Sequence, residues 1–128
     1  MKRINYRICC RKDGRLGAWK EEKSGYTFSL RDDNGVYFFG MMSDKYHGWK
    51  ITELTSGRSI NTLSLGKLKK DEVIPAVEEI LKKGNFYHLL EGAWKKYGYI
   101  QSNVNEINRI YGTNIEFTSD IFPIEEFD

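Results

Sequence analysis

Apolar and polar positions alternate along the first half of the chain, which is the pattern of strands with one buried face. Ile4, Tyr6 and Ile8 share one face of the first such run. Asn34-Gly35 lies between two β-prone runs and predicts a tight hairpin, because both residues tolerate positive φ. The predicted strands cover residues 4–10, 16–22, 26–31, 36–42, 49–54 and 58–63.

The second half of the chain changes to the period of amphipathic helices. Val73, Val77 and Leu81 share one face of the first predicted helix. Asn85 and Asn103 are candidate N-caps of the second and third helices. The predicted helices cover residues 71–83, 85–97 and 103–111, each followed by glycine, and "NIEF" at 114–117 is a candidate last strand.

These elements predict a single α+β domain over residues 1–128, in which an N-terminal antiparallel β-meander of about five strands packs against two or three C-terminal helices. Its strand-rich part covers residues 1–66, its helix-rich part 67–112 and an acidic C-terminal segment 113–128. No stretch rich in proline, glycine or serine separates these parts, so we expect one shared core.

The stretch "GVYFFGMMS" at residues 35–43 is apolar on both faces of its predicted strand. The two faces are Val36, Phe38 and Met42 on one side and Tyr37, Phe39 and Met41 on the other. We expect the C-terminal helices to cover one face. The second face can be covered in three ways: the sheet curls into a partial barrel, a helix crosses to it, or a partner binds there.

Composition is that of an ordinary folded protein of a reducing compartment. Hydrophobic residues make up 40% of the chain and charged residues 30%, unlike the composition of a disordered chain. No apolar run reaches the length of a membrane span, and the N-terminal residues lack the apolar core of a signal peptide. Cys9 and Cys10 are adjacent, a spacing that does not favour a disulfide. We therefore expect a cytoplasmic protein.

The formal net charge of +2 conceals opposite charges at the two ends of the chain. Residues 1–12 contain five basic and no acidic residues, and residues 114–128 contain five acidic and no basic residues. The two ends can attract each other in the fold, or each can serve a separate partner. The candidate acidic partner-binding residues are Glu116, Asp120, Glu125, Glu126 and Asp128.

Motifs for catalysis, metal ions and cofactors are not found in the sequence. The two cysteines and two histidines do not follow the spacing of zinc ligands, and "DDNG" at residues 32–35 lacks the ligand spacing of a calcium loop. Neither of the phosphate-binding glycine motifs occurs. We expect no metal, no cofactor and no enzymatic activity; the alternative is an enzyme built from dispersed residues such as His88 and Glu91.

Aromatic residues are interleaved with basic residues on the predicted strands. Such a surface suits a protein partner, or a nucleic acid whose bases stack on the rings while cations contact the phosphates. An exposed apolar face also allows homodimerisation. The candidate aromatic-face residues are Trp19, Tyr37, Phe39, Met41 and Trp49. The candidate nucleic-acid-binding residues are Arg3, Arg7, Arg11 and Lys12.

Residues 49–81 resemble an arrangement that recurs in small accessory proteins of phages and mobile elements of Gram-positive bacteria. The resemblance rests on a strand that begins at Trp49, the turn Ser56-Gly57 and a lysine-rich entry to the helix from Asp71. The longer connection "NTLSLGKLKK" departs from it. The resemblance implies an accessory role without catalytic residues, and proteins of this kind include the anti-CRISPR proteins.

We therefore predict a non-enzymatic interaction protein that binds and blocks a macromolecular partner, either a protein or a nucleoprotein complex. Its sharpest version is an inhibitor of a host nucleic-acid-processing defence complex, similar in style to anti-CRISPR proteins, in which the acidic segment imitates phosphates. The alternative prediction is a single-stranded nucleic-acid-binding protein that uses a basic, aromatic sheet face. We expect no association with a membrane.

Overall fold

The computed structural model describes residues 1–12, 15–18, 23–44, 48–60 and 68–126, with the backbone alone at 10–12, 15–18 and 44. The strands within these residues are β1 (Lys2–Tyr6), β2 (Cys9–Lys12), β3 (Arg15–Ala18), β4 (Lys23–Asp32), β5 (Gly35–Asp44), β6 (Gly48–Glu53) and β7 (Arg58–Ser59). The helices are α1 (Lys70–Lys82), α2 (Phe86–Tyr97) and α3 (Gln101–Tyr111).

Five strands form one antiparallel sheet in the order β1-β4-β5-β6-β7, and three helices follow it in the chain, so the predicted α+β fold is confirmed. Two details of the predicted meander are wrong. The first strand ends at Tyr6 rather than continuing to residue 10, because Cys9 N donates to Gly57 O at 2.8 Å and draws the chain towards the β6–β7 turn. The described part of the predicted second strand lies in β3, which pairs with β2 in a separate two-stranded sheet instead of joining the large one; residues 19–22 lie outside the described residues.

Helices α1 and α2 pack on one face of the large sheet, here called face A. Phe28 of β4 lies opposite Phe39 of β5, and their rings stack with 5.2 Å between centroids. Phe86, the first residue of α2, packs edge-on against the ring of Tyr37 at 5.1 Å. The buried core on this face consists of Phe28, Tyr37, Phe39, Met41, Ile51, Val73, Val77, Leu81 and Leu90.

Helix α3 packs on the opposite face of the sheet, here called face B. The buried core on this face consists of Ile4, Tyr6, Phe38, Leu54 and Ile107. Gly40 of β5 also belongs to face B, and a Cβ atom there would lie 2.7 Å from the Tyr6 ring. Glycine therefore allows this ring to pack directly on the strand. Of the three predicted ways to cover the second face, the structure shows the helix that crosses to it.

Asn103 anchors α3 to the rest of the fold instead of capping it. The helix begins at Gln101, so the predicted cap is wrong and Asn103 lies inside the helix, 1% exposed. Its Oδ1 accepts the backbone N–H of Arg7 at 2.8 Å. Its Nδ2 donates to the carbonyl oxygens of Arg7 at 2.8 Å and Leu54 at 2.9 Å. A tertiary contact has replaced the local one, because these backbone groups are buried and need partners.

The chain beyond α3 is extended and irregular. Gly112 ends the helix with φ at 67°, the left-handed conformation that favours glycine. The predicted last strand at residues 114–117 does not form, since none of the described strands pairs with it. The only regular pairing recorded near the described end is an isolated bridge between Tyr99 and Pro123.

Candidate binding groove

The incompletely covered end of face B forms a groove of about 890 Å³. Helix α3 ends at Tyr111, whose ring packs on Phe38 with 4.8 Å between centroids. Beyond this contact, Ser29, Arg31 and Val36 of the β4–β5 hairpin are exposed in the groove. Residues of α2 and of the segment 113–121 complete the lining.

Aromatic rings from several elements line the groove. Trp94 of α2 meets Phe117 edge to face, with 5.2 Å between centroids, and Tyr87 packs against Trp94 at 6.1 Å. Phe117 also stacks on Tyr99 at 4.1 Å, which fixes its ring. The aromatic lining residues are Phe38, Tyr87, Trp94, Tyr111 and Phe117. Such rings offer a large apolar contact area and have few torsions to order on binding.

Residues 113–118, here called the wall segment, form one side of the groove. Asn108 of α3 fixes its start, because its Oδ1 accepts the Thr113 hydroxyl at 2.8 Å and the Ile115 N–H at 3.0 Å. The side chains alternate between half-buried Thr113, Ile115 and Phe117 and exposed Asn114, Glu116 and Thr118. This alternation is that of an extended strand.

The chain after the wall segment is fastened to the rest of the fold. Tyr99 N donates to Phe122 O at 3.1 Å, and Ile124 N donates to Tyr99 O at 2.7 Å. The Ile124 side chain is buried. Arg7 Nη1 lies 3.3 Å from Glu126 Oε2, so the basic and acidic ends of the chain meet in an ion pair. The wall segment is therefore held on both sides along the chain.

Charged side chains surround the aromatic lining. Lys95 Nζ lies 3.7 Å from Glu91 Oε1. The pKa of Asp120 is lowered first by a hydrogen bond from a neighbouring hydroxyl and further by the charge of Lys95. Lys95 therefore compensates two carboxylates. Arg31 and Glu116 form no ion pair with any described side chain, so among these residues the groove presents one charge of each sign for a partner.

A buried hydrogen-bond network fixes Trp94 in the groove. Trp94 Nε1 donates to Thr55 Oγ1 at 2.9 Å, and Thr55 Oγ1 donates to Glu53 Oε1 at 2.7 Å. Glu53 is 3% exposed and also accepts the backbone N–H groups of Thr55 at 3.1 Å and Ser56 at 2.8 Å. Burial raises the pKa of Glu53, while these hydrogen bonds act in the opposite direction.

The predicted aromatic docking face is not an exposed surface. Tyr37, Phe39 and Met41 are 3%, 0% and 0% exposed under α1 and α2. Trp49 packs partly buried against the same core, and Trp19 lies outside the described residues. Because helices of the same chain cover this face, neither a partner nor a second copy can dock on it without opening the core. This prediction is therefore corrected.

Neither of the two predicted basic residues whose side chains are described, Arg3 and Arg7, lines the groove. The Arg3 guanidinium lies 4.7 Å from the ring centroid of Tyr26, and Lys70 Nζ lies 3.7 Å from the same centroid. Arg7 is engaged in the ion pair with the acidic end. The remaining two side chains, Arg11 and Lys12, are outside the described parts of the chain.

The predicted acidic residues are divided between several places. Glu116 and Asp120 line the groove. Glu125 is exposed outside it, and Glu126 forms the ion pair with the basic end. Asp128 lies outside the described residues. Two of the five predicted acids therefore belong to the candidate site.

Sequence reasoning does not identify the aromatic residues of the groove. Trp94 falls in the apolar stripe of the predicted second helix, and Phe117 falls in the predicted last strand, so both are expected in the core. The alternation of "NIEF" is the signal that could locate the wall segment. No local pattern indicates that this stretch would lack a pairing partner.

No three His, Cys, Asp or Glu side chains among the described residues lie close enough together to hold a metal ion. Within the same parts of the chain, no helix combines the length and apolar character needed to cross a membrane. Comparisons with protein-family models, curated proteins and solved structures find no match. The resemblance to phage and mobile-element proteins therefore stays a prediction.

Proposed function

We propose that the chain is a non-enzymatic interaction protein that binds a polypeptide partner in the groove at the end of face B. The observation that carries this proposal is an aromatic-lined groove that also contains two charges of opposite sign, Arg31 and Glu116, for which the described residues supply no ion pair. Aromatic and arginine side chains supply most of the binding energy in protein interfaces. A polypeptide can satisfy both charges and cover the rings at the same time.

The groove is suited to binding because its rings are already fixed. Its volume of about 890 Å³ lies within the roughly 300–1,000 Å³ typical of ligand sites. Trp94 is held by its hydrogen bond to Thr55, and Phe117 is held by its stack on Tyr99. A partner that contacts these rings therefore loses little free energy to ordering them.

The charges of the groove favour a polypeptide over a nucleic acid. Its lining contains the carboxylates Glu91, Glu116 and Asp120 and the cations Arg31 and Lys95. An excess of carboxylates repels phosphates. The nucleic-acid alternative, with Arg3, Arg7, Arg11 and Lys12 as its predicted residues, therefore ranks second; the pair of cations beside Tyr26, Arg3 and Lys70, is the described site that suits it best. It predicts an affinity for single-stranded DNA that falls steeply with salt concentration, and the absence of that slope would remove it.

Binding in the groove would produce the predicted blocking role, because a partner segment held there is no longer accessible to its own substrate. A nucleic-acid-processing defence complex of the host stays the predicted partner. Its activity should fall when the protein is added and should recover when the groove is filled by mutation.

The proposal can be tested by panning a random peptide library, displayed on phage, against the protein. Val36→Trp fills the groove, since Val36 lines it and is 41% exposed. Leu89→Trp is the matched control, because Leu89 is 62% exposed but does not line the groove. We expect enriched peptides to bind the Leu89 variant as the native chain and the Val36 variant about tenfold more weakly. No enriched peptide, or equal binding to both variants, would contradict the proposal.

A further inference from the structure

The wall segment is extended like a β-strand but does not pair with any described strand. Its side chains alternate between half-buried and exposed over residues 113–118. Among the described residues, no other strand forms a ladder with it. The backbone hydrogen bonds of the described chain reach Gly112 before it and Thr118 at its end, but none joins residues 113–117. Unpaired extended backbone of this kind is a template for another strand.

The backbone groups of Asn114 and Glu116 form no hydrogen bond with the described backbone. Ile115 N–H is taken by the side chain of Asn108 on α3. In an extended chain, the N–H and C=O groups of successive residues point to opposite sides. Asn114 and Glu116 therefore direct their backbone groups to the side opposite Asn108, where no described protein group bonds to them. The exposed side chain of Glu116, which forms no ion pair among the described residues, belongs to the same segment.

We infer that the partner's segment binds by strand addition, forming backbone hydrogen bonds with Asn114 and Glu116 along the wall segment. This inference rests on the proposed function and specifies how the groove holds its polypeptide. Main-chain hydrogen bonds supply affinity in this mode, while alternate side chains of the added strand supply specificity.

Charge complementarity defines the added strand as basic and apolar in alternation. Residues 113–121 contain the two carboxylates Glu116 and Asp120 and no basic residue. Cross-strand neighbours of opposite charge stabilise a pair of strands, so lysine or arginine of the partner should lie opposite Glu116. The partner's side chains that face the rings of Trp94 and Phe117 should be apolar, and a carboxylate of the partner outside this alternation should lie near Arg31.

The test compares three peptides. The first is a peptide enriched on the native chain, and the other two are the same peptide N-methylated at every second backbone nitrogen, beginning at an odd or at an even position. N-methylation removes backbone donors while keeping every side chain. We expect one methylated peptide to bind at least about fivefold more weakly and the other to bind nearly as well as the parent, since only one edge of the added strand pairs. Equal binding of all three peptides would overturn strand addition while leaving the groove as a peptide site.

A matched pair of variants tests the same hydrogen bonds from the protein side. Asn114→Pro removes the N–H of Asn114, which bonds to no described group, whereas Asn114→Ala removes only the side chain. We expect the proline variant to bind about five- to tenfold more weakly than the alanine variant, because the two differ in the backbone N–H. If the proline variant does not fold, the N-methylated peptides decide the question alone. Equal binding of a folded proline variant would overturn the inference.

Amide hydrogen exchange separates the failure of this inference from failure of the proposed function. On binding, the amides of Asn114 and Glu116 should become protected, whereas that of Ile115 should change little. A peptide that binds without this protection overturns strand addition only, and the absence of any binding peptide overturns both proposals. Protection in the protein alone that increases with its concentration would assign the free edge to a second copy and overturn the inference.

Discussion

The two faces of β5 carry the same kind of side chain but differ in how completely they are buried. On face A, Tyr37, Phe39 and Met41 are all almost completely buried. On face B, burial decreases along the strand, from Phe38 at 6% exposed to Val36 at 41% exposed. The groove lies where face B becomes exposed.

The difference corresponds to the number of helices on each face. Face A is covered by α1 and α2, with 13 and 12 residues. Face B is covered by the single helix α3, whose 11 residues span about 16 Å against roughly 33 Å for the ten-residue strand β5, and Ile115 of the wall segment packs on the same core. One short helix cannot cover a long strand. The apolar residues beyond its end become the floor of a groove rather than part of a core.

The largest effect is expected from a substitution on the fully covered face. Phe39→Ala should lower the free energy of unfolding by about 3–5 kcal/mol, because it leaves a cavity beneath two helices. Val36→Ala, on the same strand, should change it by less than about 0.5 kcal/mol, because Val36 is 41% exposed. Denaturant unfolding of both variants measures the contrast. Equal losses would show that face B is covered as completely as face A.

The next effect concerns the attachment of α3 to face B. Asn103→Ala should cost about 2–3 kcal/mol of unfolding free energy, since it leaves the buried backbone groups of Arg7 and Leu54 without their partner. Asn105→Ala is the control, because Asn105 is exposed on the same helix. The same denaturant measurement applies, and a loss below that of the control would mean that the three hydrogen bonds do not hold the helix.

How much of this comparison can be predicted from the sequence depends on the range of the interactions. The α+β class follows from the change of hydrophobic period, which is a local signal. The position of β1 beside β4 depends on pairing between residues far apart in the chain, and no local pattern specifies it. For the same reason, Asn103 is predicted as a cap although it bonds to residues 96 and 49 positions away.

The candidate site divides in the same way. Glu116 and Asp120 are predicted as binding residues because an acidic segment is visible in the sequence. The covered face A and the exposed end of face B are not distinguishable, since both are apolar stretches of one strand. Only the length and placement of α3 decide which of them becomes a surface, and placement is a tertiary property.

A third effect is expected at the network that positions Trp94. Glu53→Gln should cost about 1–3 kcal/mol, because an amide NH₂ would face a backbone N–H where a carboxylate oxygen accepts one. Since burial raises the pKa of Glu53, the folded state binds its proton more tightly than the unfolded state, whose value is about 4.3. The stability from this group is therefore fully present below that pH and decreases as the pH rises through the folded value.

The measurement is denaturant unfolding of the native chain and the Gln variant at pH 5 and pH 7. The other carboxyls titrate alike in both proteins, so their contributions cancel. We expect the difference in free energy of unfolding between the native chain and the Gln variant to be larger at pH 5 than at pH 7. A margin that grows with pH would mean that the hydrogen bonds to Glu53 outweigh its burial.

The smallest effect on stability, and the sharpest on function, is expected from the acids of the groove. Glu116→Gln should change the free energy of unfolding by less than about 0.5 kcal/mol, since Glu116 is exposed and forms no ion pair with a described residue. The substitution should lower the affinity for a basic peptide a few-fold and reduce the salt dependence of binding, because it removes one charge that faces the partner. Glu125→Gln, in the same acidic segment but outside the groove, should change neither the affinity for the peptide nor the salt dependence of binding. If both substitutions weaken binding equally, the whole acidic segment acts as one surface, as a phosphate mimic would, and the partner then contacts it beyond the end of face B.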